Sequence, residues 1–439
     1  MHRTLAVAPA LALLVVSLAM AADPAPLRPG GRRGPNRDGV APEGSGLPGG
    51  WPPKRLWEKN VGPGCSSPIL AAGRVYVTGW NGKADRRKNP RGTDTVYCFE
   101  ATTGKELWKR TYPSRYQSRT RAGDLGQYGG PSSTPTFHAA TGMLYTLGVD
   151  GELRCWDTAR EGKPVWGVNL YDTCKVPQRP NVGGGKRDFG FTSAPLVLGD
   201  RLLVELGGPA GTVIALDKAT GKATWRSACT EPAGHTSGPV PITLQGRQCI
   251  ATLTLRKLVV MRADKGHEGR TVAEIPWQTD FACNIPTPAV VGNKVVPTSA
   301  YNQHKTSLVD LSGRKPRQVW TSKEHAMVGS PVVHKGRVFL VRGSLRCLDL
   351  ASGKLIWKGG KFGHGSCLVA AGDNKVIVFG KGRLALVDAM AREYKELGHV
   401  DGLVRGTCYP QVALADGLIL CKDKDGRLVC LSVRGGAEK

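Results

Sequence analysis

One phrase recurs along this chain: "FEATTGKELWKR" from Phe99, "WDTAREGKPVWG" from Trp156, "LDKATGKATWRS" from Leu216 and "LDLASGKLIWKG" from Leu348. Each copy sets an acidic residue, a glycine and a tryptophan at near-constant spacing. The glycine suits a turn that needs positive φ, so each copy reads as a strand, a tight turn and a second strand opened by the tryptophan. Weaker copies end at Trp320 and Trp277, and "VDAMAREYKELG" is a degenerate one. Self-similarity at a period of roughly 40 to 60 residues marks an array in which each unit buries its apolar face against the next.

Each unit opens on a Ser/Thr-Pro pair or a close relative: "CSSPIL" at 65, "SSTPTF" at 132, "FTSAPLVL" at 191, "HTSGPV" at 235, "IPTPAVV" at 285, "VGSPVV" at 328, "HGSCLVA" at 364 and "TCYPQVA" at 407. An apolar strand follows, then a hairpin turn such as Gly199-Asp200 or Asp416-Gly417, a second strand, a further turn such as Asp150-Gly151, and a third strand. The repeated phrase closes the unit. Four antiparallel strands per unit make a propeller blade, so the predicted fold is all-β: an eight-bladed β-propeller. The eighth unit stops after its third strand at Val433, while "KRLWEKNV" (54–61) matches the tryptophan strand and has no unit of its own. The N-terminal strand is therefore predicted to complete the last blade, closing the ring and removing two exposed edges.

In this frame Trp57, Trp108, Trp166, Trp225, Trp277, Trp320 and Trp357 belong to outer strands, where an indole covers the gap to the next sheet and finds a backbone acceptor. They are structural. Cys98, Cys155, Cys347 and Cys430 each fall two residues before the acidic (or Ser) position, where other copies carry Ala215, Val260, Leu308 and Leu386. They read as buried apolar residues rather than a disulfide framework, although the chain has 12 cysteines. No CxxC, CxxCH or adjacent Cys pair is present. Zinc-ribbon, haem-attachment and vicinal-disulfide chemistry lose their sequence basis.

Residues 1–22 have a basic start and an apolar run from Leu5 to Met20, the pattern of a secretory signal peptide, too short for a membrane span. Residues 23–53 are Pro/Gly-rich and predicted to be a linker or an arm laid over the body; 54–433 form the propeller and 434–439 a tail. The formal net charge is +26, with 61 Lys and Arg against 35 Asp and Glu. For an exported chain, periplasmic or extracellular, this balance points to acidic envelope polymers or a protein partner rather than to nucleic acid.

The acidic-x-x-Thr-Gly-Lys-x-x-Trp phrase, with "GRVYV" and "SP" at their places, resembles the pyrroloquinoline quinone (PQQ)-like repeat family of eight-bladed propellers, in the quinoprotein alcohol dehydrogenase-like superfamily. The likeness covers nearly everything after residue 54, and "RRGPNRDG" (32–39) resembles the N-terminal stretch of exported proteins of that family. The resemblance implies ligands over the central channel, on the face that holds the connections between blades. The longest insertions, 80–94, 110–128 and 170–188, map there and form a basic cap that includes Arg87, Arg121 and Arg187. Tyr128, Asp188, His235, Asn284, His364 and Arg405 precede innermost strands and are the candidate residues of the channel mouth.

His235 and His364 lack a third ligand, so no metal is expected, and "KDKDG" (422–426) reads as a hairpin turn. A PQQ-dependent dehydrogenase of the family would need an adjacent Cys-Cys clamp, a calcium site and an aspartate base. The clamp is missing, so no cofactor and no catalytic residue are predicted. The reading is an exported, monomeric, non-catalytic binding or assembly scaffold of the cell envelope, similar to the propeller subunit of the outer-membrane β-barrel assembly machine. The alternatives are a PQQ-dependent dehydrogenase and a receptor for an acidic glycan or other polyanion.

Overall fold

A computed structural model describes residues 33–34, 36–41, 47, 51–82, 92–114, 129–176, 190–279, 283–301 and 303–434. Arg87, Arg121, Tyr128, Arg187 and Asp188, with most of the basic insertions and the leader, lie outside these residues. The described chain forms eight antiparallel sheets arranged as an eight-bladed propeller. The first blade runs outward from Ile69–Ala71 through Arg74–Trp80 and Gly92–Glu100 to Glu106–Ser114. The last runs through Ala413–Ala415, Leu418–Lys422 and Arg427–Ser432, and its outer strand is Lys54–Asn60, as predicted. In the sixth blade a single strand, Arg337–Asp349, supplies both middle positions by folding back at Gly343 (φ 70°), so that Leu350 N–H reaches Gly336 O. In the fifth, Pro297 interrupts the second strand between Lys294–Val296 and Thr298–Ser299, since it has no N–H for the ladder.

The interior is divided into slabs between neighbouring sheets. Trp57, Val75, Phe99, Leu420 and Cys430 fill the junction of the last blade with the first, and comparable clusters fill the other seven. Register explains the repeat. Across the two outer strands Trp108 faces Cys98, Trp166 faces Cys155, Trp225 faces Ala215, Trp320 faces Leu308, Trp357 faces Cys347 and Trp57 faces Cys430. A β-bulge sits beside each of these pairs, twisting the outer strand so that its indole reaches the next blade. There it lands on the turn glycine: a Cβ on Gly104, Gly162, Gly221 or Gly353 would come within 2.7 Å of Trp57, Trp108, Trp166 or Trp320 respectively. All four glycines also have φ between 70° and 73°. The turn thus needs glycine for its backbone and again for the neighbouring indole.

Two blades depart from this pattern. Trp277 is not the repeat tryptophan of the fourth blade: Ala273 stands opposite Val260, and Trp277 lies just past the strand Thr271–Pro276 under the Lys305 ammonium, 4.8 Å from the ring centre. The longer turn in "MRADKGHEGRTVAEIPW" shifts the register, which spacing alone did not reveal. In the seventh blade the position belongs to Gly398, and the indole comes from outside the repeat. Trp51 packs so closely there that a Cβ on Gly398 would lie 2.4 Å from it.

The described residues 33–34 and 36–41 of the segment before the propeller lie at the inner ends of the blades. Arg33 and Arg37 are buried, and Val40–Ala41 pairs in parallel with Val369 and Ala370 of the seventh blade's innermost strand, adding a fifth strand on the channel side. The arm therefore occupies the axis of the ring.

Candidate functional site

The blade-opening Ser/Thr-Pro pairs line the axis, and their hydroxyls join neighbours. Ser133 Oγ donates to Ser193 O (3.0 Å), Thr192 Oγ1 to His235 O (2.6 Å), Thr287 N–H to Ser330 Oγ (2.9 Å), Val412 N–H to Ser366 Oγ (3.0 Å) and Gln411 N–H to Ser67 Oγ (2.8 Å). The prolines set up the acceptors. In an extended strand a residue's N–H and C=O point to the same edge, so a proline at the channel edge offers a carbonyl and no donor.

Two arginines of the arm meet these carbonyls. The Arg37 guanidinium donates to Ala194 O and Pro239 O, both at 3.0 Å, and to Pro195 O. That of Arg33 donates to Thr287 O (3.2 Å), Pro331 O and its own neighbour's Asp38 O (2.9 Å). Every acceptor on the ring belongs to an x-Pro step, and the steps come from four consecutive blades. Burial draws the Arg33 guanidinium down to about 10, with the nearby Asp38 partly offsetting it. Gly238 leaves room for Arg37, since a Cβ there would lie 3.1 Å from Nη1.

The predicted mouth residues that are described have different surroundings. Asn284 is fully buried and holds the fourth and fifth blades together: its Nδ2 donates to Thr254 O (2.7 Å) and Trp277 O (3.0 Å), and its Oδ1 accepts from Ser299 Oγ (2.9 Å). His235 is half-buried with Nδ1 2.5 Å from Thr236 Oγ1. His364 is exposed, its ring 6.1 Å from that of Tyr409; partial burial, with Arg342 and Lys381, lowers its pKa. Arg405 is exposed. The "KDKDG" run is a hairpin turn in which the Asp423 carboxylate accepts from the N–H groups of Asp425, Arg427 and Gly406.

Three features escaped the sequence. Arg33 and Arg37 sat in a segment without periodicity, and only the spacing Arg-x-x-x-Arg signalled them. Lys422, fully buried, donates to Gly64 O (2.5 Å) and ties the last blade to the first. His304 and His325 pair at 3.3 Å between the fifth and sixth blades, with His325 Nδ1 on Lys323 O (2.9 Å). Among the described residues no three His, Cys, Asp or Glu side chains are grouped to hold a metal.

Fold, register and indole docking define a class, the eight-bladed PQQ-like propellers. The sequence profile of the family described as outer membrane protein assembly factor BamB matches residues 54–166 and 92–359, and the chain belongs to that family. Outer membrane protein assembly factor BamB of Burkholderia pseudomallei (strain K96243) is 24% identical over 204 residues, which cover 42% of this chain and 48% of the relative, so the chain spans about half the length of the curated relative it matches. Among solved structures, BamB from Moraxella catarrhalis superposes with a TM-score of 0.55 at 12% identity, covering 87% of this chain and 99% of that one. Quinohemoprotein alcohol dehydrogenase from Comamonas testosteroni gives 0.58 at 14% identity, over 88% and 77%. At these identities the structural likeness is one of fold.

Proposed function

We propose that this chain is an exported, monomeric, non-catalytic propeller that holds a protein partner during assembly in the cell envelope, outer membrane assembly included. The observation that carries this reading is the arm at the axis, where Arg33 and Arg37 of this chain are seated on the inner ends of four blades. Recognition then falls to the rim and to the face with the long basic connections. Membership of the BamB family supports the assembly role, and a leader of secretory type supports the periplasm. No helix among the described residues is long and apolar enough to cross a membrane.

The test is in-cell crosslinking from the two faces. Reversing Arg87, Arg121 and Arg187 to Glu should abolish capture of the envelope partner. Reversing Lys105, Lys222 and Lys354, in turns on the opposite face, should leave most of it. Equal losses would show that net charge alone acts. Retention of the protein by an anionic glycan, in place of a protein crosslink, would favour the polyanion receptor. PQQ-supported dye reduction by the purified protein would establish the dehydrogenase instead.

A further inference from the structure

We propose that the axial ring of x-Pro carbonyls is a binding site for guanidinium groups on a peptide that turns before it adds a strand, and that residues 33–34 and 36–41 are its resident ligand, held in cis. The site is rich in acceptors. Prolines 195, 239 and 331 offer carbonyls with no N–H on the same edge, and the carbonyls of Ala194 and Thr287 join them on the two guanidinium groups, the Thr287 N–H being taken by Ser330 Oγ. A guanidinium is the side-chain group that matches such a ring. It is planar and weakly hydrated, with five N–H donors in a fixed fork, so one group can bridge carbonyls from two blades. A lysine ammonium has three donors on one atom and gives up its water less readily.

Two further observations point the same way. Arg33 and Arg37 both take left-handed backbone conformations (φ 66° and 57°), uncommon for side chains of their size, and such strain persists where the surroundings over-determine it. The same segment also binds by strand addition: Val40 and Ala41 pair with Val369 and Ala370, and Val369 N–H donates to Gly39 O at 2.9 Å. Strand addition at Val40–Ala41 along one blade, a common mode of peptide recognition, is thus combined with side-chain capture across four others by a turn that Arg37 N–H on Gly34 O and Gly39 N–H on Arg33 O close. The inference shares with the assembly role the observation that the arm sits at the axis, but its test reads peptide binding there whereas the crosslinking reads the basic face, so the two can fail separately.

The test uses the full chain with a site-specific protease sequence substituted at 43–46, folded intact and then cut. The severed arm should stay bound through gel filtration. Once it is washed out in mild denaturant, a fluorescent peptide spanning 30–43 should rebind at one per propeller, with affinity that changes little between 0.05 and 0.5 M salt (roughly the range over which exposed charges are screened). The peptide with both arginines changed to Lys should bind at least tenfold more weakly, and the uncut protein should not bind it at all. An arm that leaves at once, a Lys peptide that binds as well, or binding to the uncut protein would each overturn the proposal. Should the stripped propeller unfold, Arg33→Lys/Arg37→Lys in the uncut chain supplies the answer by hydrogen exchange. At least tenfold faster exchange at residues 39–41 is expected, and unchanged exchange would overturn the proposal.

Discussion

A glycine in the repeated turn has two jobs that can be separated. Gly199 lies in a hairpin with φ 59° and nothing near its missing Cβ, whereas Gly221 has φ 73° and the Trp166 ring 2.6 Å from that point. Gly199→Ala should cost about 1 kcal/mol, for the backbone alone, and Gly221→Ala roughly 2–4 kcal/mol, for backbone and displaced indole together. Urea midpoints of the two variants measure the difference; equal losses would remove the indole from the argument. Ionisation gives a second test at this scale. Burial draws the Lys422 ammonium down from 10.5 to about 8, so the unfolded chain holds more protons between those values. Stability conferred at this residue therefore rises with pH, relieving a cost of about 3 kcal/mol present at neutral pH. Burial pushes Cys98, Cys155 and Cys430 up to about 12 and Cys347 to about 11. The unfolded thiols ionise first, near pH 8.5, so stability present below that pH is lost as pH rises toward 12. Stability curves should show wild type gaining stability relative to Lys422→Met as pH rises from about 8 to 10.5. Changing the four cysteines to Ala, the residue that Ala215 already places in this register, should flatten the alkaline loss. A pH-independent difference in either pair would contradict the assigned ionisation.

At the scale of elements, the blades were legible because their periodicity is local: alternating apolar residues, turn glycines and a tryptophan recur within each unit. The cysteines could be placed for the same reason, and Cys98, Cys155, Cys347 and Cys430 are buried and in no disulfide. Thiol reagent should label Cys98, Cys155, Cys347 and Cys430 only after unfolding and without prior reduction, and mass spectrometry finding them in disulfides would refute the assignment. What the sequence hid depends on contacts between remote segments. Trp51 fills the indole position of a blade more than 300 residues away, opposite Gly398, and its own surroundings in "GGWPPK" resemble a linker. Trp51→Ala should therefore open a cavity between the seventh and eighth blades and cost roughly 2–4 kcal/mol. A change within 0.5 kcal/mol in thermal unfolding would show the contact to be dispensable. Asn284 was hidden in the opposite way. It sits where a mouth residue belongs, but its side-chain orientation was set by the carbonyls of Thr254 and Trp277, invisible in the spacing.

For the whole molecule, ring closure was legible by counting strands, since a missing outer strand at one end and a spare one at the other have a single solution. The filled axis was not, because nothing periodic marks it. The consequence for truncation is specific. Deleting 23–60 removes the closing strand and the axial arm, and should give aggregated protein. Deleting 23–50 keeps Lys54–Asn60 but empties the carbonyl ring, and should lower the melting temperature by several degrees while leaving a soluble monomer. If the shorter deletion melts with the intact protein, the arm contributes nothing to stability.

The order of the chain adds a matter of timing. The last blade joins residues near both ends, with Glu58 meeting Arg427. The axial arm leaves the ribosome before any blade, and the strand partner that seals the circle leaves after all the other blades. The ring is thus built around a core thread laid down in advance, rather than threaded after it has formed. Until the strand Arg427–Ser432 has emerged, the protein is an open fan of blades with two bare sheet edges, and it is in that interval that a chaperone has something to hold.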